Sequence, residues 1–290
     1  MESQNAIFRL LGITLACLFT LSVAVFILRM TALHQPPRYI EIPGRATSGP
    51  LIFAYADVES APAYSQASYD SILALGEPVV PALEVRVSQD RQWVLYGAGD
   101  LSDWTTGEGR VESQAWSALQ QLKFKDSKQG LLRLSDFLRT RNLPKLLLVV
   151  HNREVAGAKS LMEILGDRDE PQVTLIYAPA HRMNRELRKL RPYWYFGADA
   201  VMLTQWRLFS ALWLDPLASE DFEWLPKGWF NSAPQKNARL EEELDRRRIG
   251  QLQWVSSTEE LQQIQINDPH LLGVMTNRPK AVLQLMKVDR

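Results

Sequence analysis

The sequence predicts an α/β chain: one membrane-spanning helix followed by a closed barrel of eight alternating strands and helices. Three observations carry this. From Leu10 to Leu28 there is no charged residue. Beyond residue 50, short apolar runs alternate with segments of helical periodicity, the pattern of parallel βαβ units. Eight such runs fit in the rest of the chain, whose length is close to the roughly 250 residues typical of a (β/α)8 (TIM) barrel. An open doubly wound sheet would use the same elements, but no Gly-rich phosphate fingerprint accompanies these strands.

Composition sets the outer bounds. A chain of 290 residues holds an anchor and one sizeable domain, and 46% hydrophobic content excludes a disordered one. Lys+Arg and Asp+Glu both number 33, so no net field steers the protein to nucleic acid, and none is expected as a partner. The single cysteine, Cys17, lies inside the apolar run, which rules out an intrachain disulfide. His34, His151, His181 and His270 are scattered, with no zinc-site spacing.

The first element is the anchor. The uncharged run from Leu10 to Leu28, at about 1.5 Å per residue, nearly spans a hydrocarbon core of roughly 30 Å, and Ile7, Phe8 and Met30 extend it. A cleaved signal peptide is the competing reading. The length of the run and the lack of a small-x-small site after it favour an uncleaved single span. Residues 1–30 are thus tail and anchor, with the bilayer met through 10–28. Arg9 precedes the span whereas Arg29, Arg38 and Arg45 follow it, so the side on which the main domain lies stays open. Pro36-Pro37, Pro43 and Gly49 mark 31–49 as a linker, and 50–290 is the barrel.

Within the barrel, strands are expected at 51–55, 83–88, 146–150, 173–177, 199–203, 222–225, 252–255 and 273–276. Helices are expected at 66–75, 114–122, 131–142, 154–165, 181–190, 241–248 and 280–286. Another begins at Ser257, where Glu260 three residues on completes a capping box. A Trp-rich insert at about 204–232 interrupts the series; the stretch from Trp194 to Trp229 holds five of the nine tryptophans. It is either a cap on the barrel or a face for membrane or partner. His181, Arg182, Arg185, Lys189 and Arg191 make a basic helix, read either as a solvated face or as one that meets anionic lipid.

The working end of such a barrel is the C-terminal face of its strands, which would carry Tyr55, Glu84, Arg86, His151, Arg153, Tyr177 and Trp254 or Ser256. Glu84 is the conspicuous member. Leu83, Val85 and Val87 point one way and Glu84, Arg86 and Ser88 the other, which sets an acid inside a strand that reads as buried. A buried acid is costly unless it has a partner or a task. Its expected structural partner is Arg86, Arg153 or another cation at the top of the barrel.

Ala82-Leu83-Glu84-Val85-Arg86-Val87-Ser88-Gln89-Asp90, with Val94-Leu95-Tyr96-Gly97 and Thr105-Thr106-Gly107-Glu108-Gly109 after it, resembles the glycerophosphodiester phosphodiesterase family. In that family the strand reads Glu-Leu-Asp-Val, followed by Val-Val-Phe-His-Asp and a Thr-x-Gly-x-Gly loop. Gly273-Val274-Met275-Thr276-Asn277-Arg278-Pro279 is similar to the family's Gly-Ile-Ile-Thr-Asp-Arg-Pro ending, and Trp254-Val255-Ser256 to its Trp-Thr-Val strand. The resemblance runs from about Leu51 to Met286. It implies a (β/α)8 barrel, a phosphodiester substrate, and a divalent metal, Ca2+ or Mg2+.

The chemistry the resemblance implies does not carry over. The family's His-Arg-Gly reads Tyr55-Ala56-Asp57 here, its Glu-Leu-Asp reads Ala82-Leu83-Glu84, its second catalytic histidine falls on Gly97, and its Ile-Glu-Ile-Lys reads Val150-His151-Asn152-Arg153. Neither histidine position is filled. Glu84 alone keeps an acid, and His151 is the one other plausible metal ligand. Ca2+ and Mg2+ want about six oxygen ligands, so no cofactor is expected unless the site is active. The remnant pocket is Tyr55, Glu84, His151 and Arg153. The expectation is a catalytically degenerate, membrane-anchored barrel, a pseudoenzyme that binds a glycerophosphodiester or phospholipid headgroup, or a membrane protein partner. The alternative is an active phosphoric diester hydrolase of lipid metabolism with a reworked site. Convergence of Glu84 and His151 favours the second; capture of Glu84 by an arginine favours the first.

Overall fold

The fold was obtained as a computed structural model that describes residues 2–34, 50–56, 58–141, 143, 145–166, 174–211, 222–225, 246, 249–262, 264 and 271–288. It opens on helix α1 (Glu2–Leu33), whose stretch Arg9–Thr31 is long and apolar enough to cross a membrane. Leu10, Phe19 and Phe26 are each more than 60% exposed, so this helix is not a core element of the barrel.

Eight strands run parallel: β1 (Leu51–Ala54), β2 (Val79–Val87), β5 (Leu146–Val150), β6 (Thr174–Tyr177), β7 (Tyr195–Phe196), β8 (Phe222–Leu225), β9 (Gly250–Val255) and β10 (Leu271–Thr276). They pair in the order β7-β6-β5-β2-β1-β10-β9-β8 and make the curled sheet of a (β/α)8 barrel. Pairing between β7 and β8 is not seen among the described residues. Two further strands, β3 (Trp93–Leu95) and β4 (Leu132–Arg133), form an antiparallel excursion hung on the end of β2.

The helices after α1 are α2 (Gln66–Leu73), α3 (Trp116–Leu119), α4 (Leu134–Arg139), α5 (Ala158–Leu165), α6 (His181–Leu190), α7 (Ala200–Ala211), α8 (Thr258–Gln262) and α9 (Pro279–Val288). Alternation on the strands divides the core in two. Leu51, Phe53, Val80, Ala82, Leu147, Val149, Leu175, Tyr177, Leu252 and Met275 fill the barrel interior. Ile52, Leu83, Val85, Leu148, Val150 and Ile176 face outward against Ile72, Leu161, Met183 and Leu187 of the helices. A strand buried on both faces reads as a continuous apolar run, which is why Leu146–Val150 has no polar residue.

One expected strand is corrected. Residues 199–203 are not extended; the strand is Tyr195–Phe196, and helix α7 begins at Ala200. Asp199 decides this. Its Oδ1 accepts from the Val201 and Met202 backbone N–H groups at 2.9 and 3.1 Å, an N-cap. Leu203 and Trp206 then follow at helical spacing on one buried face. The segments expected at 114–122 and 131–142 contain helix only at α3 and α4. The helix expected at 241–248 lies outside the described residues except Arg246, as does most of the Trp-rich insert. The capping box at Ser257 forms with one change: Ser257 Oγ accepts from Glu260 N–H, while the Glu260 carboxylate reaches past Ser257 to Ser256 N–H, at 2.7 Å.

Candidate functional site

Registry builds the site at the C-terminal mouth. Glu84 pairs with Val149 and Val149 with Tyr177, so these three residues of β2, β5 and β6 stand at one level. His151 continues β5 by one turn of the ladder, its N–H donating to Val85 O at 3.0 Å. Interior alternation then points Glu84 and His151 inward above Ala82 and Val149.

The two side chains meet. His151 Nε2 lies 2.8 Å from Glu84 Oε1, with the side chains 23% and 12% exposed. The expected partners of Glu84 are elsewhere, and this is a correction. Arg86 is buried along the β3 excursion, donating to Glu112 Oε1 and to Gly97 O, both at 2.9 Å. Arg153 is exposed on the loop after β5 and makes no ion pair with Glu84. Arg86 is diverted because β2 pairs antiparallel with β3 at that point, with Arg86 opposite Val94. Its side chain therefore serves the 97–113 loop and leaves the mouth.

Glu84 Oε2 is buried and makes no hydrogen bond of good geometry, although the Tyr64 phenol donates toward the Glu84 carboxylate. Three tyrosines stand around it. Tyr64, Tyr69 and Tyr55 all have their phenols pushed well above the usual range, first by burial and then by the Glu84 charge. Tyr64 has a left-handed backbone, φ 64°, which is uncommon for a bulky residue and turns its ring into the mouth against Tyr96, 5.3 Å away. Tyr55 packs on Trp254 with ring centroids 4.7 Å apart and hydrogen-bonds Asn277. Trp254 Nε1 and Asn277 Oδ1 are also buried without partners.

Gly97 explains how a glutamate fits here. A Cβ at Gly97 would fall on the Glu84 carboxylate carbon and both its oxygens. The volume a side chain at 97 would fill is the volume Glu84 occupies. Beyond it, the loop is closed on itself. Asp100 Oδ1 accepts from Ser102 and Gly109 N–H, Tyr96 OH donates to Asp100 O, and Gly109 takes φ +80°. Those contacts account for the Thr-x-Gly-x-Gly pattern as a loop clasp.

A second acid–imidazole pair lies on the same rim. His181 Nδ1 is 2.8 Å from Asp199 Oδ2, with Asp199 buried and His181 41% exposed. Asn184 donates to Gly197 O, just after β7, at 2.9 Å. The Tyr177 phenol is pushed up to about 12 by burial and by Asp199. Sequence reasoning did not link these residues, nor Tyr64, Tyr69 and Asn277 with Glu84. The only signals were Asp199 directly before a helical run and Asn277 within the C-terminal motif.

The donor set does not fit a hard divalent cation. Among the described residues no three His, Cys, Asp or Glu side chains gather, and Glu84 and His151 are spent partly on each other.

The chain has the fold of the glycerophosphodiester phosphodiesterases. It is similar to the enzyme from Agrobacterium tumefaciens at 16% identity and TM-score 0.62, covering 82% of this chain and 99% of that one. A glycerophosphodiester phosphodiesterase from Parabacteroides distasonis matches at 13% identity and TM-score 0.63, over 83% and 98%. An Oleispira antarctica phosphodiesterase, in complex with the product sn-glycerol-3-phosphate, matches at 15% and TM-score 0.64, over 82% and 97%. No family profile and no curated protein matches the sequence.

Proposed function

We propose that this chain is a membrane-anchored, glycerophosphodiester phosphodiesterase-like barrel that binds a lipid headgroup or partner and does not hydrolyse it. The observation that carries this reading is the shared volume of Glu84 and Gly97. Where the family resemblance implies a second acid–base histidine, the site holds a carboxylate bonded to His151. Loss of one general acid–base group typically costs about 10²–10⁴-fold in rate. The exposed apolar helix α1 supports an anchor through 10–28, since water gives such a surface no partner. The buried Trp254 Nε1 and Asn277 Oδ1, which have no hydrogen-bond partner, and the incompletely satisfied Glu84 carboxylate support a ligand with hydroxyl groups in the mouth. Calorimetry and turnover assays on the purified full-length chain with glycerophosphocholine, with and without Mg2+ or Ca2+, test it. Binding without hydrolysis is expected. Metal-dependent hydrolysis that disappears in Glu84→Ala sinks it.

The second reading is a phosphoric diester hydrolase with a reworked site, and one observation favours it: Glu84 and His151 converge at 2.8 Å. A carboxylate that orients an imidazole prepares it for proton transfer. His151 would act as base, with Arg153 and Tyr55 on the diester. Hydrolysis lost in both His151→Asn and Glu84→Gln, and independent of added metal, would establish this reading over the first.

A further inference from the structure

Helix α6 and the segment after it differ from the α2–α4 flank of the barrel in charge pairing and in apolar exposure. Arg182, Arg185 and Lys189 are exposed and spaced three and four apart, so they form one stripe, while Met183, Asn184 and Leu187 are buried opposite. Lys189 pairs with Glu186, but Arg182 and Arg185 have no ion-pair partner among the described residues. On the α2–α4 side the reverse holds: Arg141 pairs with Asp70, Lys145 with Glu77, and Arg133 and Arg139 with Asp136.

Apolar exposure gathers beside that stripe. Tyr193, just beyond α6, is 93% exposed, and Val201 and Leu208 of α7 are 43% and 55% exposed. Val201 and Leu208 are seven residues apart and share a face, opposite the buried Leu203 and Trp206. Outside α1, the only other large hydrophobics exposed among the described residues are Val58 and Trp104. A face that exists only to be solvated has no reason to combine free arginines with exposed Leu and Tyr.

We propose that the α6–α7 flank is the surface this protein lays on an anionic phospholipid bilayer. The proposal rests on the reading of 10–28 as a membrane span. Cations near a negatively charged leaflet with apolar and aromatic side chains at its interface are the chemistry of peripheral attachment. Chain length makes the bilayer the favoured occupant over an acidic protein. Residues 34–49 separate α1 from the barrel, and that many residues reach at most about 58 Å. The tethered flank therefore meets lipid at a high effective concentration, so weak contacts suffice.

The test uses the full-length chain with Cys17→Ser, which removes the only cysteine, and single cysteines at Leu208 or, as a control, at exposed Ser117. Each is labelled with an environment-sensitive fluorophore. The protein is reconstituted into vesicles of phosphatidylcholine alone or of equal parts phosphatidylcholine and phosphatidylglycerol, with nitroxide lipid as quencher. Quenching at position 208 is expected to be at least about threefold greater in the anionic vesicles and to return to the neutral-vesicle level in Arg182→Glu/Arg185→Glu. Position 117 stays unquenched throughout. Equal quenching at 208 and 117, or quenching at 208 that ignores lipid charge and the arginine reversal, overturns the proposal; the second pattern points to an apolar or protein contact instead. Flotation separates the anchor from the flank. A chain that fails to float with neutral vesicles defeats the span, while charge-dependent flotation with quenching at 208 still upholds the flank.

Discussion

Two acid–imidazole pairs sit on one rim of this barrel, and they are built in opposite ways. Asp199 is saturated: Oδ1 takes two backbone N–H groups, Oδ2 takes His181, and Asn184 stands 3.5 Å away. Glu84 has one close bond, to His151, and a looser donation from the Tyr64 phenol, and its buried Oε2 makes no bond of good geometry. A satisfied carboxylate at the start of a helix is scaffolding. An incompletely satisfied one ringed by tyrosines is a place where stability has been given up, and such places are where function is expected.

That contrast can be broken or sharpened by substitution. Asp199→Ala has the largest expected effect, roughly 2–4 kcal/mol, because it removes a cap and strands the groups bonded to it. Urea unfolding of the full-length protein measures it, and a loss no larger than that of Glu84→Ala would erase the distinction drawn between the pairs. Gly97→Ala comes next, at about 1–3 kcal/mol, since its Cβ lands on the Glu84 carboxylate. In a double-mutant cycle with Glu84→Ala most of that cost is expected to vanish; a purely additive pair would show that the two residues do not compete for space.

The third prediction concerns pH. An unfolded tyrosine loses its proton near 10.0, whereas Tyr177 keeps its own to about 12. The native state thus holds more protons across that window, and stability falls as pH rises through it. Each pH unit is worth about 1.4 kcal/mol, so Tyr177→Phe flattens the alkaline limb of a denaturation curve by at most about 3 kcal/mol. An unchanged limb would mean that Asp199 and burial do not hold the phenol. The smallest effect is expected for Glu84→Gln, under about 1 kcal/mol in unfolding, because the isostere leaves a buried site no worse satisfied. Its consequence should appear in ligand calorimetry, and a stability loss matching that of Asp199→Ala would mark Glu84 as scaffolding too.

The fold was legible wherever burial on two faces erased polar residues, as in Leu146–Val150, and wherever a cap preceded a helical pattern, as at Ser257. It failed at 199–203 because an apolar run of five residues reads alike as strand or helix, and only the Asp199 cap tells them apart. At the site, Glu84 and His151 stood out as an acid and an imidazole at strand ends. Their bond did not, because pairing across β2 and β5 is a matter of register. Arg86 was misplaced for the same kind of reason: period-2 alternation aims it at the mouth, and the antiparallel excursion takes it away. Tyr64 depends on a backbone angle that no periodicity encodes.

The shared volume of Gly97 and Glu84 also constrains history. A side chain at 97 displaces the Glu84 carboxylate at a cost in stability, and shortening Glu84 first opens a hole beside His151 and three tyrosines. Each single step that puts a side chain at 97 therefore passes through a less stable protein. A lineage with this arrangement is held in it by order of events, because neither residue changes first without cost.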